Sequence, residues 1–253
     1  MSDVKKNISY IYIIGNVHDS TLNYNSETLF KILDNIKPDI ILHEVDSLIM
    51  ENYKNGINSS GNEIEASNLF IKKYPNTIRL PYDFERKKEY KRRTGIIPVD
   101  DLTTDLIESL NSKGLLSRID KKNYNKYIKL TNELFEISKM KPKKFNNKKT
   151  DFIVKKRQKY QYKKLLNIVK NRDEFKEKFV IKPNNEKISY REGYILACKF
   201  WDIRNRIMAK NIINIIESNP SKKIVVLTGF MHRYYLIDLL KNKYSLEYIN
   251  FSY

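Results

Sequence analysis

The sequence predicts an α/β fold: a mixed central β-sheet flanked by helices and interrupted by a long helical insertion. Short apolar runs near both ends of the chain carry the prediction. They lie at 9–14, 39–43 and 77–80 in the first third, and at 223–228 and 246–251 in the last. Each is of strand length, and helical patterns separate them, as α/β units require. From about 84 to 188 no strand pattern appears, so this span reads as a helical insertion within a single α/β domain covering 1–253.

In chain order, strand 9–14 leads into a loop carrying His18. Ser26 opens a helix with Leu29, Phe30, Leu33 and Ile36 on one face, and Pro38 stops it. Strand 39–43 is almost continuously apolar, as a strand covered on both faces should be. A polar loop with Gly56 and Gly61 leads to a helix near 62–73, and Pro81 ends the strand at 77–80. Helical stretches near 99–111, 120–140 and 155–179 fill the insertion, with the Lys/Asn loop 142–150 as a hinge. Ser189-Tyr190-Arg191-Glu192 fits a capping box opening a long helix. Its apolar stripe runs Ala197, Trp201, Met208, Ile212 and Ile215, with Arg204 filling the gap and Arg206 pointing elsewhere. A guanidinium on a core-facing stripe must meet an anion, because burying it unpaired is prohibitive.

Composition narrows the function. A hydrophobic fraction of 41% argues for a folded chain rather than a disordered one. No apolar run approaches the length of a membrane span and no export signal is recognisable, so a cytoplasmic protein is expected. The single Cys198 excludes an intrachain disulfide and a cysteine-based zinc cluster, and its place beside the apolar stripe suits core better than nucleophile. The net charge of +18 partly reflects the Lys-, Asn-, Ile- and Tyr-rich usage of an AT-rich genome. The excess base would still attract an acidic substrate or a polyanion.

All three histidines follow apolar runs. Gly15-Asn16-Val17-His18 and Gly229-Phe230-Met231-His232 repeat one pattern at the two ends of the chain, and His43 ends the second strand just before Glu44. In an open α/β sheet that edge is where ligands bind, so the repeat suggests one site built from both ends. Gly15 and Gly229 would let the backbone turn tightly as it leaves each strand. His18, Glu44 and His232 make a three-ligand set of the kind a catalytic metal uses, leaving room for water. His43 should face away from Glu44 and read as structural. Asp46 and Asp83 add carboxylates at the same edge, Asp83 either at the site or as a helix cap. A Ser-His-Asp arrangement using Ser20 lacks the Gly-x-Ser-x-Gly elbow. The run Lys141–Lys164, interleaved with Phe145, Phe152, Tyr160 and Tyr162, fits either packing aromatics with solvated lysines or a single-strand nucleic-acid surface.

These residues resemble the TraB/Tiki superfamily, whose wider relatives include erythromycin-esterase-like and ChaN-like proteins. The resemblance rests on Gly15 with His18, on Glu44, on the segment Asp202-Ile203-Arg204-Asn205-Arg206-Ile207-Met208-Ala209, and on Gly229 with His232. It covers 9–46 and 200–240, touches 77–86 loosely, and leaves out the helical middle. It departs in the bulky Phe230-Met231 of the second motif and in the absence of a membrane-spanning tail. The resemblance implies a metal-dependent hydrolase cleaving a peptide or ester bond. His18, Glu44 and His232 would hold Mn, Co or Zn and activate water, Glu44 as ligand or as general base; Arg204 would bind a substrate carboxylate or stabilise the developing oxyanion, with Asp83 and Asn205 also binding substrate. The other classes to weigh are a ligand-sequestering protein using the same cleft and a basic nucleic-acid-binding protein.

Overall fold

A computed structural model describes residues 9–57 and 60–247. It forms two compact units: a sheet unit comprising residues up to Glu85, Glu136–Asp151 and Asn205 onward, and a helical unit of Arg86–Phe135 and Phe152–Arg204. No helix among the described residues is long and apolar enough to cross a membrane.

The sheet unit opens with β1 (Tyr10–Asn16), followed by α1 (Ser26–Ile36). The Asn25 side chain caps α1 by accepting from the Thr28 N–H, and left-handed Lys37 ends the helix just before Pro38. β2 (Ile40–His43) leads into α2 (Ser47–Lys54), a helix where the sequence suggests a polar loop; Asp46 caps it by accepting from the Ile49 N–H. Next come α3 (Asn62–Lys73) and β3 (Ile78–Pro81).

The helical unit holds α4 (Lys87–Arg93), α5 (Ile96–Ser112) and most of α6 (Arg118–Ser138). After α7 (Pro142–Phe145), α8 (Lys148–Lys159) passes through a π turn at Tyr160–Leu165 into α9 (Leu166–Lys170) and α10 (Glu174–Glu177). A small antiparallel pair, β4 (Phe179–Ile181) with β5 (Lys187–Ser189), lies where no strand was expected; three residues per strand are too few to show a period. The unit's core gathers Ile107, Tyr124, Leu165, Val169, Phe175 and Tyr194. Tyr162 is stacked on Trp201 at 5.1 Å, and burial pushes the Cys198 thiol up to about 12, so both pack rather than react.

The long helix α11 (Tyr190–Ser218) opens on the expected capping box, with the Ser189 N–H on Glu192 Oε2 and the Glu192 N–H on Ser189 Oγ. β6 (Lys223–Gly229), α12 (Phe230–Leu240) and β7 (Leu246–Glu247) complete the sheet unit; the remainder of the strand expected at 246–251 lies outside the described residues.

The α/β architecture is present, and its five-stranded sheet runs β3-β2-β6-β1-β7. Every pairing in it is parallel, more uniform than the mixed sheet expected. Alternating side chains bury both faces. Ile11, Ile13, Ile40, Leu42, Ile224 and Val226 pack under Met208, Ile212, Leu236 and Leu240 of α11 and α12. Ile14, Ile41, Val225 and Leu227 pack under Leu29, Leu33, Phe70 and Phe145 of α1, α3 and α7. Burial on both faces explains why these strands read as unbroken apolar runs.

Residues 142–150, read as a polar loop, are tied into the sheet unit. Phe145 is buried in the core, and Asn146 is pinned to the end of β1: its Oδ1 accepts from the Gly15 N–H at 2.7 Å and its Nδ2 donates to the Gly15 carbonyl at 2.9 Å. One amide side chain satisfies both backbone groups of a buried strand residue, as a neighbouring strand would.

Candidate active site

Strand order builds the site. β6 lies between β2 and β1, so the carboxyl ends carrying Glu44, Gly229 and His18 are neighbours. The chain leaves β1 for α1 on one face and leaves β6 for α12 on the other. Adjacent parallel strands whose connections part in this way open a crevice at the carboxyl edge. Gly229 stands in the middle of it.

A Cβ on Gly229 would lie 3.2 Å from His18 Nε2 and 3.7 Å from Glu44 Oε2. The missing side chain therefore leaves the space between an imidazole and a carboxylate. Neither motif glycine has a positive φ, so neither is required for a left-handed conformation. Their role is close approach. At Gly15 a Cβ would sit 2.9 Å from Phe230 Cβ and 3.0 Å from Phe230 Cα, where α12 begins against β1.

Glu44 is held firmly. Its Oε2 accepts from the Gly229 N–H and the Thr228 hydroxyl, each at 2.7 Å, and its Oε1 lies 3.6 Å from His232 Nε2. The side chains of Glu44 and His232 are each 9% exposed. On its other edge, His232 Nδ1 is 2.8 Å from Asn205 Oδ1. Asn205 is fully buried, so the residue assigned to substrate binding is placed to orient His232.

His18 differs. Its side chain is 64% exposed, and Nδ1 is 2.8 Å from Glu63 Oε1. The loop that carries it is clamped by Asn62: the Asn62 Nδ2 donates to the Val17 carbonyl at 2.8 Å, its backbone N–H donates to the His18 carbonyl at 3.2 Å, and its Oδ1 accepts from Ser20 at 2.8 Å. Ser20 is thus engaged in holding the loop. With Nδ1 facing a carboxylate, the neutral His18 ring carries its proton there and its lone pair on Nε2.

The structure thus brings His18, Glu44, His232 and both glycines together from the two ends of the chain. His43 is buried and neutral, its Nε2 without a hydrogen-bond partner among the described residues; burial, helped by the Arg79 guanidinium, pushes it down to about 3. Asp46 is a helix cap. Asp83 is buried in the turn after β3, where its Oδ1 accepts from the Phe84 N–H at 2.7 Å. Arg204 is buried on α11 as the inward position expected, and belongs to the helical unit. Sequence reasoning missed Glu63, Thr228 and Asn62. It also missed Arg233, buried beside His232, paired with Asp151 and donating from Nε to the Ile13 carbonyl at 3.2 Å.

The donors expected for a metal are His18 Nε2, His232 Nε2 and a Glu44 oxygen. Among the described residues, no three His, Cys, Asp or Glu side chains are placed to hold one ion together. Glu44 Oε2 is already committed to two donors.

No protein-family model matches the chain, and no curated protein does. A solved structure, a mutant erythromycin esterase, EreC, in its open conformation, matches at 13% identity and a TM-score of 0.30, covering 87% of this chain. The match spans 60% of that structure's length. At this TM-score the likeness assigns neither family nor activity.

Proposed function

We propose that the chain is a hydrolase that activates water between His18 and Glu44 to cleave an ester or peptide bond. The observation that carries the reading is the gap at Gly229, bounded by His18 Nε2 and Glu44 Oε2 at a sheet edge suited to ligands. A water in that gap can give its proton to His18 Nε2, while Glu63 steadies the imidazolium that forms. This is the logic of a carboxylate-backed histidine base. Glu44, fixed by its two donors, holds its position without rearranging as charge develops. His18 then passes that proton to the leaving group as the bond breaks, while His232, oriented by Asn205, lies beside Glu44 Oε1.

The test is a panel of p-nitrophenyl esters, lactones and peptide p-nitroanilides. Turnover of at least one member is expected, with kcat/KM falling about a hundredfold or more in Glu44→Gln and in His18→Ala. Because the chemistry rests on side-chain proton transfer, dialysis against a chelator should leave the rate unchanged. Binding of panel members without turnover, or full activity in both variants, would end the reading. A rate lost on chelation and restored by manganese would return His18, Glu44 and His232 to the role of metal ligands.

A further inference from the structure

The two units differ sharply in charge. The helical unit carries 27 Lys and Arg against 13 Asp and Glu, whereas the sheet unit carries 21 against 17. Codon bias enriches lysine in both units alike, so it does not account for an excess confined to one. The excess is densest from Phe152 to Lys170, which holds seven Lys and Arg and no acidic residue.

This segment forms α8 beyond its first turn, the π turn and α9. Most of its aliphatic side chains pack inside the unit: Ile153, Val154, Leu165, Ile168 and Val169 are at most 8% exposed. Arg157 also turns inward, to Thr131, Gln158, Gln161 and the Tyr127 hydroxyl. Lys159 and Lys163 are exposed, Lys156 and Lys164 are half-buried, and none of the four has an ion-pair partner among the described residues. Phe152, at the start of the segment, is 66% exposed.

We propose that this face of the helical unit binds single-stranded nucleic acid, with the four lysines on phosphates and Phe152 under a base. Lysines that neutralise phosphates release counterions and make binding salt-dependent. An exposed aromatic beside them offers a stacking platform indifferent to base identity. A membrane surface fits less well, because an interfacial helix needs an apolar face to insert and this one has buried its own. The proposal is independent of the hydrolase reading.

The test is fluorescence anisotropy of the full chain with a labelled oligo-dT of about 20 nucleotides, between about 50 and 200 mM salt. Affinity should fall steeply with salt. In Lys156→Gln/Lys159→Gln/Lys163→Gln/Lys164→Gln, the slope of log affinity against log salt should shrink by about 3, at roughly 0.7 per single-strand phosphate. Phe152→Ala should weaken binding by about fivefold or more at unchanged slope. A control that removes four exposed lysines from the sheet unit, Lys37→Gln/Lys54→Gln/Lys72→Gln/Lys210→Gln, should match the wild type. Circular dichroism should show all variants folded. An equal loss in the control, wild-type binding by the first variant, or binding only to phosphatidylserine vesicles would overturn the proposal.

Discussion

Gly15 and Gly229 occupy the same position in two copies of one motif, yet they face different neighbours. A methyl group at Gly15 meets the Cα and Cβ of Phe230, where no soft side chain can yield. Overpacking of that kind costs about 1–3 kcal/mol, so Gly15→Ala should lower the urea midpoint. At Gly229 the methyl meets His18 Nε2, part of a largely exposed ring that can move aside. Gly229→Ala should therefore keep its stability and lose its rate, by about tenfold or more through a displaced base. Equal effects of the two substitutions on stability would contradict this division. His43 gives a second prediction. Its folded pKa is depressed from 6.5 to about 3. Below pH 6.5 the unfolded chain thus binds a proton that the native state refuses, and stability falls as pH falls through that window. Between pH 7 and 5 the contribution is about 2 kcal/mol at 1.36 kcal/mol per pH unit. Urea titrations of His43→Leu should show that part of the acid loss removed; an unchanged pH profile would mean that the ring is not buried and neutral.

Among the elements, the long ones were legible and the short ones were not. The helices at 26–36 and 62–73 and the capped start of α11 follow from apolar spacing and capping chemistry, which are local properties. α2 escaped because its eight residues bury Met50 alone, too little to print a periodic stripe. The 142–150 segment looked like a polar hinge because it is rich in Lys and Asn. Its order comes from Asn146, whose partner Gly15 is 131 residues away, and no local pattern reports such a bond. Removing that side chain in Asn146→Ala leaves the buried N–H and C=O of Gly15 without it. A loss of about 2 kcal/mol is expected in chemical denaturation; a loss within experimental error would mean that water replaces the amide there.

At the scale of the molecule, the sequence places the histidines at strand ends because that relation is local, and the repeated motif suggests one shared site, but it does not show how the strands are ordered. Their adjacency depends on β6 inserting between β2 and β1, an order that periodicity does not encode. The same gap explains why Glu63 was missed: in the sequence it is one more acid in the first turn of a helix, and only the fold sets it against His18. The central claim is that both ends of the chain form one catalytic unit. A double-mutant cycle on kcat/KM with His18→Ala and His232→Ala tests it on whichever ester or peptide the wild type turns over. Residues acting as a unit are non-additive, so the double variant should lose little more than the worse single variant. If the two losses multiply, His18 and His232 work independently, and the single site proposed at the β1–β6–β2 edge is contradicted.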